Sequence, residues 1–316
     1  MAPADPDEPR PGTTEDPRVT VVVASRNRRD ELLASLGRHH APVVLVDNGS
    51  TDGTPDAVRR AHPHVDVVAL GRNAGAAGRT IGVRRARTPF VAFADDDSWW
   101  APGSLRAAAD VLAQHPRVGL LDVRTLIGPE ERLDPFCELL AASPLPPRLG
   151  DLPGPRILGF MACAAMVRRD AFLAVGGFDE VVRFPGEEER LSWDLTAAGW
   201  SLAYLDDAVV HHHPSPRRQS PADRRRAMAR SRVLSGVLRL PWPLVMARAA
   251  AAWTADRAQR RGVLDATARV PAALRNRRAL PVEVLADLDL LARTGPRGPA
   301  RPAPASSARA SSTERR

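Results

Sequence analysis

FVAFADDDS, residues 90–98, is the stretch from which the rest of the chain can be read. Its first half is a short, mostly apolar run of the kind that forms a buried strand, and Asp95, Asp96 and Asp97 stand where that strand ends. In an α/β sheet, ligands bind at the carboxyl edge of the strands. Adjacent carboxylates repel and raise one another's pKa, so the cluster calls for a positive partner, a divalent cation being the obvious one. Along an extended backbone Asp95 and Asp97 share one side while Asp96 points to the other, which makes the outer two the candidate metal ligands. An isolated DDD reads better as a solvated acidic loop or as the cap of a helix expected from Ser104. The neighbouring sequence has to decide.

Upstream, VTVVVA at 19–24 is a continuous apolar, β-branched run, as expected of a strand covered on both faces. SRN at 25–27 leads into an amphipathic helix carrying Leu32, Leu33 and Leu36 and stopped by Gly37. A second strand at 43–46 ends in Asp47, after which Asn48, Gly49 and Gly53 turn the chain; Thr54 is placed to cap the next helix, with Pro55 at its first position. A third strand at 65–70 runs into GRNAGAAGR, residues 71–79, a glycine-rich turn entering a helix. Strand and helix alternating at this spacing predict a mostly parallel, Rossmann-like α/β sheet with right-handed crossovers.

Downstream, a helix over 104–114 and a strand over 118–126 continue the pattern, and residues 128–156, rich in proline and glycine, read as a long loop over the site. Structure resumes at GFMACAAMV, 159–167. A helical stretch follows in GEEERLSWDLTAAGW, 186–200, and two short strands, SLAYL and AVVHHH, close the domain by about residue 220. Residues 221–293 change to Arg and Ala with scattered Leu and Trp, reading as helices broken at Pro241, Pro243, Pro271 and Pro281. Residues 1–17 and 294–316 have the polar, Pro-rich or low-complexity composition of disordered segments.

The 316 residues suffice for one large domain with an appendage. Net charge is +8 and every basic residue is arginine, a bias of genome composition as much as of function; no aromatic residues interleave with the arginines as a base-stacking surface would require, so nucleic acid is not an expected partner. Cys137 and Cys163 lack metal-site or disulfide spacing, which points to a reducing, cytoplasmic setting. The N-terminus has no apolar core of a signal peptide, and no apolar stretch is long enough to span a bilayer. The 221–293 region reads either as helices packed on the catalytic domain or at a subunit interface, or as a basic surface at the inner face of the plasma membrane.

Asp47, the 71–79 turn and the aspartates all fall at strand ends and can line one cleft. The turn offers backbone N–H groups and a helix N-terminus to phosphates, with Arg72 and Arg79 adding charge, and acidic residues beside it suit a metal-bridged diphosphate with Mg²⁺ or Mn²⁺. The succession VTVVVASRN, VLVDNGSTDGT, RNAGAAGR, FADDDS, GFMACAAMVRRDAFLAVGGFDE, GEEERLSWDLTAAGW and AVVHHHPS, over residues 18–214, resembles the family 2 glycosyltransferases. These are inverting enzymes of the GT-A fold.

The resemblance implies a nucleotide-diphosphate sugar donor of UDP, dTDP or GDP type, and a glycan, lipid-linked or small-molecule acceptor. It puts the base and nucleoside at Ser25, Asn27 and Asp47 and the DxD pair, which binds the ribose-diphosphate and its metal, at Asp95 and Asp97; Asp96 and, from the reading of the turn, Asn73, Gly75 and Arg79 complete the expected donor set. His212, with His211 next to it, falls where some relatives supply a histidine to the metal. The acidic acceptor-side motif falls on Glu187 and Glu188, the second being the expected general base, although Glu189 makes the register ambiguous. GGFDE resembles the family's acceptor-side loop, where Asp179 is placed either to contact the acceptor or to cap a turn. Thr80 departs from the family, where asparagine is common. That departure and the Glu-rich base position are what a degenerate nucleotide-sugar-binding protein would show; a sugar nucleotidyltransferase would need a Gly- and Lys-bearing signature that this chain lacks.

Overall fold

The structure, a computed structural model, describes residues 14–148, 150–215 and 219–294, so most of the two terminal segments expected to be disordered lies outside the described residues. In chain order the first half contains β1 (Val19–Ser25), α1 (Arg29–Ser35), β2 (Val43–Asp47), α2 (Thr54–Ala61), β3 (Asp66–Ala69), α3 (Ala77–Arg85), β4 (Phe90–Ala94), β5 (Ser98–Trp100), α4 (Ser104–Gln114) and β6 (Val118–Ile127). Then come β7 (Arg132–Leu133), α5 (Pro135–Ala141), β8 (Ala165–Arg168), α6 (Arg169–Ala174), α7 (Glu188–Ala197) and β9 (Ser201–His212). Five helices complete the described chain: α8 (Pro221–Arg239), α9 (Trp242–Ala255), α10 (Arg257–Thr267), α11 (Val270–Arg275) and α12 (Val282–Thr294).

One sheet runs in the order β3-β2-β1-β4-β8-β6-β9-β5, with β7 beside β6. The apolar runs are buried on both faces, and their side chains alternate between two cores: Val19, Val21 and Val23 of β1 join Leu32, Leu36, Leu105 and Leu112, whereas Val22 joins Val83, Phe172 and Leu191. Helices α1 and α4 therefore cover one face, and α3, α6 and α7 the other. Helix α3 lies close against β1 and β2 because Gly82 has no side chain; a Cβ there would sit 2.4 Å from a methyl of Val22.

The sheet is mixed, which the alternating pattern did not anticipate. Strand β8 inserts antiparallel between β4 and β6, and β5 pairs antiparallel with β9. The two short strands expected at 201–213 are one strand, β9, whose register against β6 shifts after Val123: Val123 pairs with Leu205 and Arg124 with Val209. The bulge keeps the chain in the sheet across the polar pair Asp206 and Asp207. Residues 128–156 are not a bare loop either, since they hold β7 and α5 and end in Arg156, whose guanidinium meets both carboxylate oxygens of Asp287 on α12 at 2.6 and 2.7 Å. At α2 the cap is not Thr54: Asp52 accepts from the Thr54 N–H at 3.1 Å, and Thr54 is already helical.

Helices α8–α12 pack against the α/β body through a third core, in which Leu234, Leu238, Val245 and Ala273 meet Val181, Val182 and Trp193. Fully burying side chains such as Leu234 and Leu238 stabilises this contact by about 2 kcal/mol each. Polar ties reinforce it, Asp194 on α7 taking Arg190 and Arg239 together.

Candidate active site

Register brings the first residues together. Ser25 pairs with Asp47 across β1 and β2, and Val23 pairs with Ala94 across β1 and β4, so the carboxyl ends of three neighbouring strands present Ser25, Asp47 and the aspartates along one edge. After β4 the backbone turns instead of staying extended: the Ser98 N–H donates to the Asp95 carbonyl at 3.3 Å and the Asp95 N–H to Ser98 Oγ at 2.8 Å. The turn sends each aspartate to a different element, which replaces the two-and-one alternation expected of a straight strand. Asp95 meets Arg79 at 2.5 Å, Asp96 accepts from Ser25 Oγ at 2.6 Å, and Asp97 lies 3.3 Å from His212 Nε2 and accepts the Ser215 N–H at 2.8 Å. Burial pushes the Asp96 carboxyl up to about 7; the hydrogen bond from Ser25 opposes this, and the flanking Asp95 and Asp97 add to it.

His212 reaches Asp97 because β5 and β9 pair Ser98 with His212. Its neighbours alternate away, as strand geometry requires: His211 stacks on Trp99 and approaches Glu131 at 3.2 Å, and His213 lies edge-on to Trp99. Ser215 joins this corner to Arg28 and Glu31 of the first loop and α1, with Ser215 Oγ 2.7 Å from Arg28 Nη1 and 2.9 Å from Glu31 Oε1. Sequence reasoning passed over that link, since nothing local couples residues so far apart.

The glycine-rich turn is built by two asparagines. Asn73 Oδ1 accepts the Gly75 N–H at 2.8 Å, and Gly75 is left-handed at φ 61°. Asn48 clamps the turn from the β2 side, donating to the Gly75 carbonyl at 3.1 Å and accepting from the Ala74 N–H at 3.3 Å. Its place directly after Asp47 was the available signal for that role. Asp47 itself is buried; one oxygen accepts the N–H groups of Gly49 and Ser50, while Oδ1 has no hydrogen-bond partner among the described residues. Asn27, also left-handed at φ 54°, accepts from the Thr51 N–H and donates its own N–H to Ser50 Oγ, pinning the 25–27 loop to the turn after β2. Arg72 is exposed and pairs with Glu180 at 2.7 Å.

Across the cleft stand the glutamates that open α7. The buried Arg79 bridges Asp95 and Glu187, the latter at 3.2 Å, and Glu189 pairs with Arg248 of α9 at 2.9 Å. Glu188 has no hydrogen-bond or ion-pair partner among the described residues. Burial, and next the adjacent Glu188, push the Glu187 carboxyl up to about 8; burial raises that of Glu188 as well. Asp179 is occupied: Oδ1 accepts the N–H groups of Val181 and Val182, and Oδ2 lies 3.1 Å from Arg190 Nε. Thr80 donates to the Phe178 carbonyl at 2.8 Å, anchoring the same 176–186 loop. Below the cleft, the fully buried Asp122 holds the Met161 N–H, and its apolar surroundings raise its carboxyl well above the ordinary range. Nothing in the β6 pattern singled it out.

For a cation, the donor set is two carboxylates and an imidazole. Asp97 Oδ1 and His212 Nε2 are as close as two ligands of one ion; the carboxylate oxygens suit Mg²⁺ or Mn²⁺, and an added imidazole nitrogen favours Mn²⁺ of the two. Asp95 is turned toward Arg79, and among the described residues no three such groups converge on a single point. The residues present fit a cation completed by ligands from outside the protein.

Known proteins resemble this chain in sequence and in fold. The sequence model of Glycosyl transferase family 2 matches residues 20–176. N-acetylglucosaminyl-diphospho-decaprenol L-rhamnosyltransferase of Mycobacterium tuberculosis is 30% identical over 237 residues, covering 62% of this chain and 75% of that protein. Among solved structures, the mannosyltransferase PcManGT from Pyrobaculum calidifontis, in complex with GDP-Man and Mn²⁺, superposes with a TM-score of 0.55 at 24% identity, over 92% of this chain and 80% of that one. S. aureus TarS 1–349 in complex with UDP gives 0.53 at 18% identity, over 87% of each chain.

Proposed function

The chain belongs to glycosyl transferase family 2 and is a nucleotide-sugar glycosyltransferase of GT-A fold, and from that premise we propose that it transfers its sugar with inversion, in one metal-assisted displacement, to an acceptor hydroxyl on a lipid-linked glycan. The observation that carries the mechanism is the division of labour among the glutamates: Arg79 engages Glu187, Arg248 engages Glu189, and Glu188 is left with an unengaged carboxylate of raised pKa. A raised pKa suits a general base that must take a proton near neutral pH.

In this reading the free Oδ1 of Asp47 accepts an N–H of the base, while Ser25 and Asn27 frame the nucleoside. Asn73 and Gly75 shape the phosphate turn, Arg79, expected to add charge to it, is instead engaged by Asp95 and Glu187, and the half-buried Asp96 with Ser25 fixes the floor between the aspartates. Asp95, Asp97 and His212 would hold Mn²⁺ or Mg²⁺, which when bound neutralises the diphosphate leaving group. Glu188 removes the acceptor proton as the hydroxyl attacks the anomeric carbon from the side opposite the diphosphate, so no covalent nucleophile is needed. Asp179 serves the acceptor side by holding the 176–186 loop in shape. An imide or amide N–H is offered by uracil, thymine and guanine alike, so Asp47 leaves UDP, dTDP and GDP donors equally served.

The lipid-linked acceptor is supported by the likeness to a transferase acting on a diphospho-decaprenol and by α9. Trp242, Leu244, Met246 and Trp253 of α9 are exposed, and its one charged residue, Arg248, turns inward to Glu189. Residues 221–294 carry 15 arginines against six acidic residues. An apolar helix side ending in tryptophans and set among arginines suits peripheral contact with an anionic bilayer. No helix among the described residues is long and apolar enough to cross a membrane.

Thermal-shift titration with UDP, dTDP and GDP sugars, with and without Mn²⁺, tests the donor site. One nucleotide class should stabilise the protein only with metal present, and the shift should vanish in Asp97→Ala. Equal shifts in that variant, or shifts independent of metal, would remove the metal-assisted donor site.

A further inference from the structure

The glycine-rich turn, the loop between α6 and α7, α7 itself and the C-terminal helices bring six arginines and three carboxylates together. Three ion pairs account for half of the arginines: Arg72 with Glu180 at 2.7 Å, Arg190 with Asp179 at 3.1 Å and Arg226 with Asp265 at 2.6 Å. Arg183, Arg230 and Arg269 are left with no carboxylate partner among the described residues, and all three are half-buried. Their hydrogen bonds go to backbone instead. Arg230 Nη2 donates to the carbonyls of Arg183 and Phe184 at 3.4 and 3.3 Å, and Arg269 Nη1 donates to the Glu180 carbonyl at 2.5 Å. The Nε atoms of Arg183 and Arg230 are buried without a partner.

Each arginine comes from a different segment, and each is set deliberately. Arg183 lies in the loop, with its aliphatic stem over Gly75, where an added Cβ would lie 3.5 Å from Arg183 Cγ. Arg230 is on α8, next to Ser231, whose hydroxyl fixes the Arg183 carbonyl at 2.8 Å. Arg269 stands between α10 and α11. Burial lowers the Arg230 and Arg269 guanidinium pKa values; Arg269 and Arg183 lower that of Arg230 further and Arg183 that of Arg269, while Asp265 opposes the shift at Arg230 and Glu180 and Asp179 oppose it at Arg269. Like charges held close by fixed backbone contacts, beside carboxylates that are already paired with other arginines, favour an added anion. Guanidinium forks are the side chains suited to phosphate oxygens.

We propose that Arg183, Arg230 and Arg269 form a second phosphate subsite, separate from the donor's, that takes the diphosphate of a lipid-linked acceptor. The inference rests on the acceptor class given above. The subsite lies on the loop that runs into Glu187 and Glu188, so a sugar attached to that diphosphate would extend toward the base. Its other end borders the helices that carry the exposed apolar residues of α9.

The test uses the full-length protein, titrated calorimetrically with farnesyl diphosphate as probe and farnesol as its uncharged counterpart, while saturating nucleoside diphosphate and Mn²⁺ fill the donor site. Farnesyl diphosphate should bind with the donor site filled, farnesol at least tenfold more weakly. Arg230→Gln and Arg269→Gln should each weaken the probe by about tenfold while nucleotide affinity stays unchanged, with Arg230→Lys recovering part of the loss. Arg183→Gln, on a loop outside the helices, gives the same reading if the helix variants fold poorly. Displacement of the probe by nucleotide, equal binding of farnesol, or wild-type affinity in the variants would overturn the subsite. Nucleotide affinity of each variant is measured in a separate titration without probe, so its loss would count against the donor site and not against this one.

Discussion

The three glutamates that open α7 make the sharpest test, because each is assigned a different environment. Glu188→Gln keeps the side-chain shape and removes the base. Loss of general-base catalysis costs about 10²- to 10⁴-fold in rate, or roughly 3–5 kcal/mol of barrier. In Glu189→Gln the lost contact is the pair with Arg248, whose side chains are 29% and 26% exposed at the two ends. A screened pair of that kind is worth about 1 kcal/mol at most and touches stability alone, so turnover should stay within about threefold of wild type. Glu187 is 1% exposed, and burial raises its carboxyl pKa, which favours the protonated form. Glutamine resembles the protonated acid and still offers an oxygen to Arg79; the expected loss is less than about tenfold. The assay is single-turnover release of nucleotide with donor bound and acceptor in excess, with donor affinity measured separately. A Glu188→Gln enzyme within threefold of wild type, while either neighbour falls a hundredfold, would refute the assignment of the base.

Three further outcomes are expected. Arg79→Met leaves Asp95 without its cation and Glu187 without its donor and should destabilise the fold by about 3 kcal/mol in urea denaturation, with part of the loss restored by adding Asp95→Asn. Because the folded state raises the Glu187 pKa from 4.5 to about 8, it binds that proton more tightly than the unfolded chain. Stability from this group is therefore full below pH 4.5 and declines toward pH 8, by at most about 1.4 kcal/mol per pH unit; urea midpoints across that range should flatten in Glu187→Gln. Wild-type protein should float with liposomes containing anionic lipid, and Trp242→Ser with Trp253→Ser should abolish flotation without changing donor affinity; equal flotation would exclude α9 as the contact.

What the sequence determined by itself is what local patterning encodes. Apolar runs such as VTVVVA and FVAFA specify strands buried on both faces, and a helix over 104–114 follows from its own periodicity. The succession of strand-end residues identified the family and its fold, because strands laid side by side in parallel necessarily carry Ser25, Asp47 and the aspartates to one edge. Tertiary structure decided the pairing. Strand β8 is antiparallel because partner choice depends on where the chain returns, which no short pattern records. The turn at 95–98 separates three identical side chains into three environments, and Arg79 and Arg248, distant in sequence, divide Glu187, Glu188 and Glu189. The arginines at 183, 230 and 269 form a group for the same reason. Charge acts through space, so which like charges share a neighbourhood, and which carboxylate is left unpaired, is settled only when the elements pack.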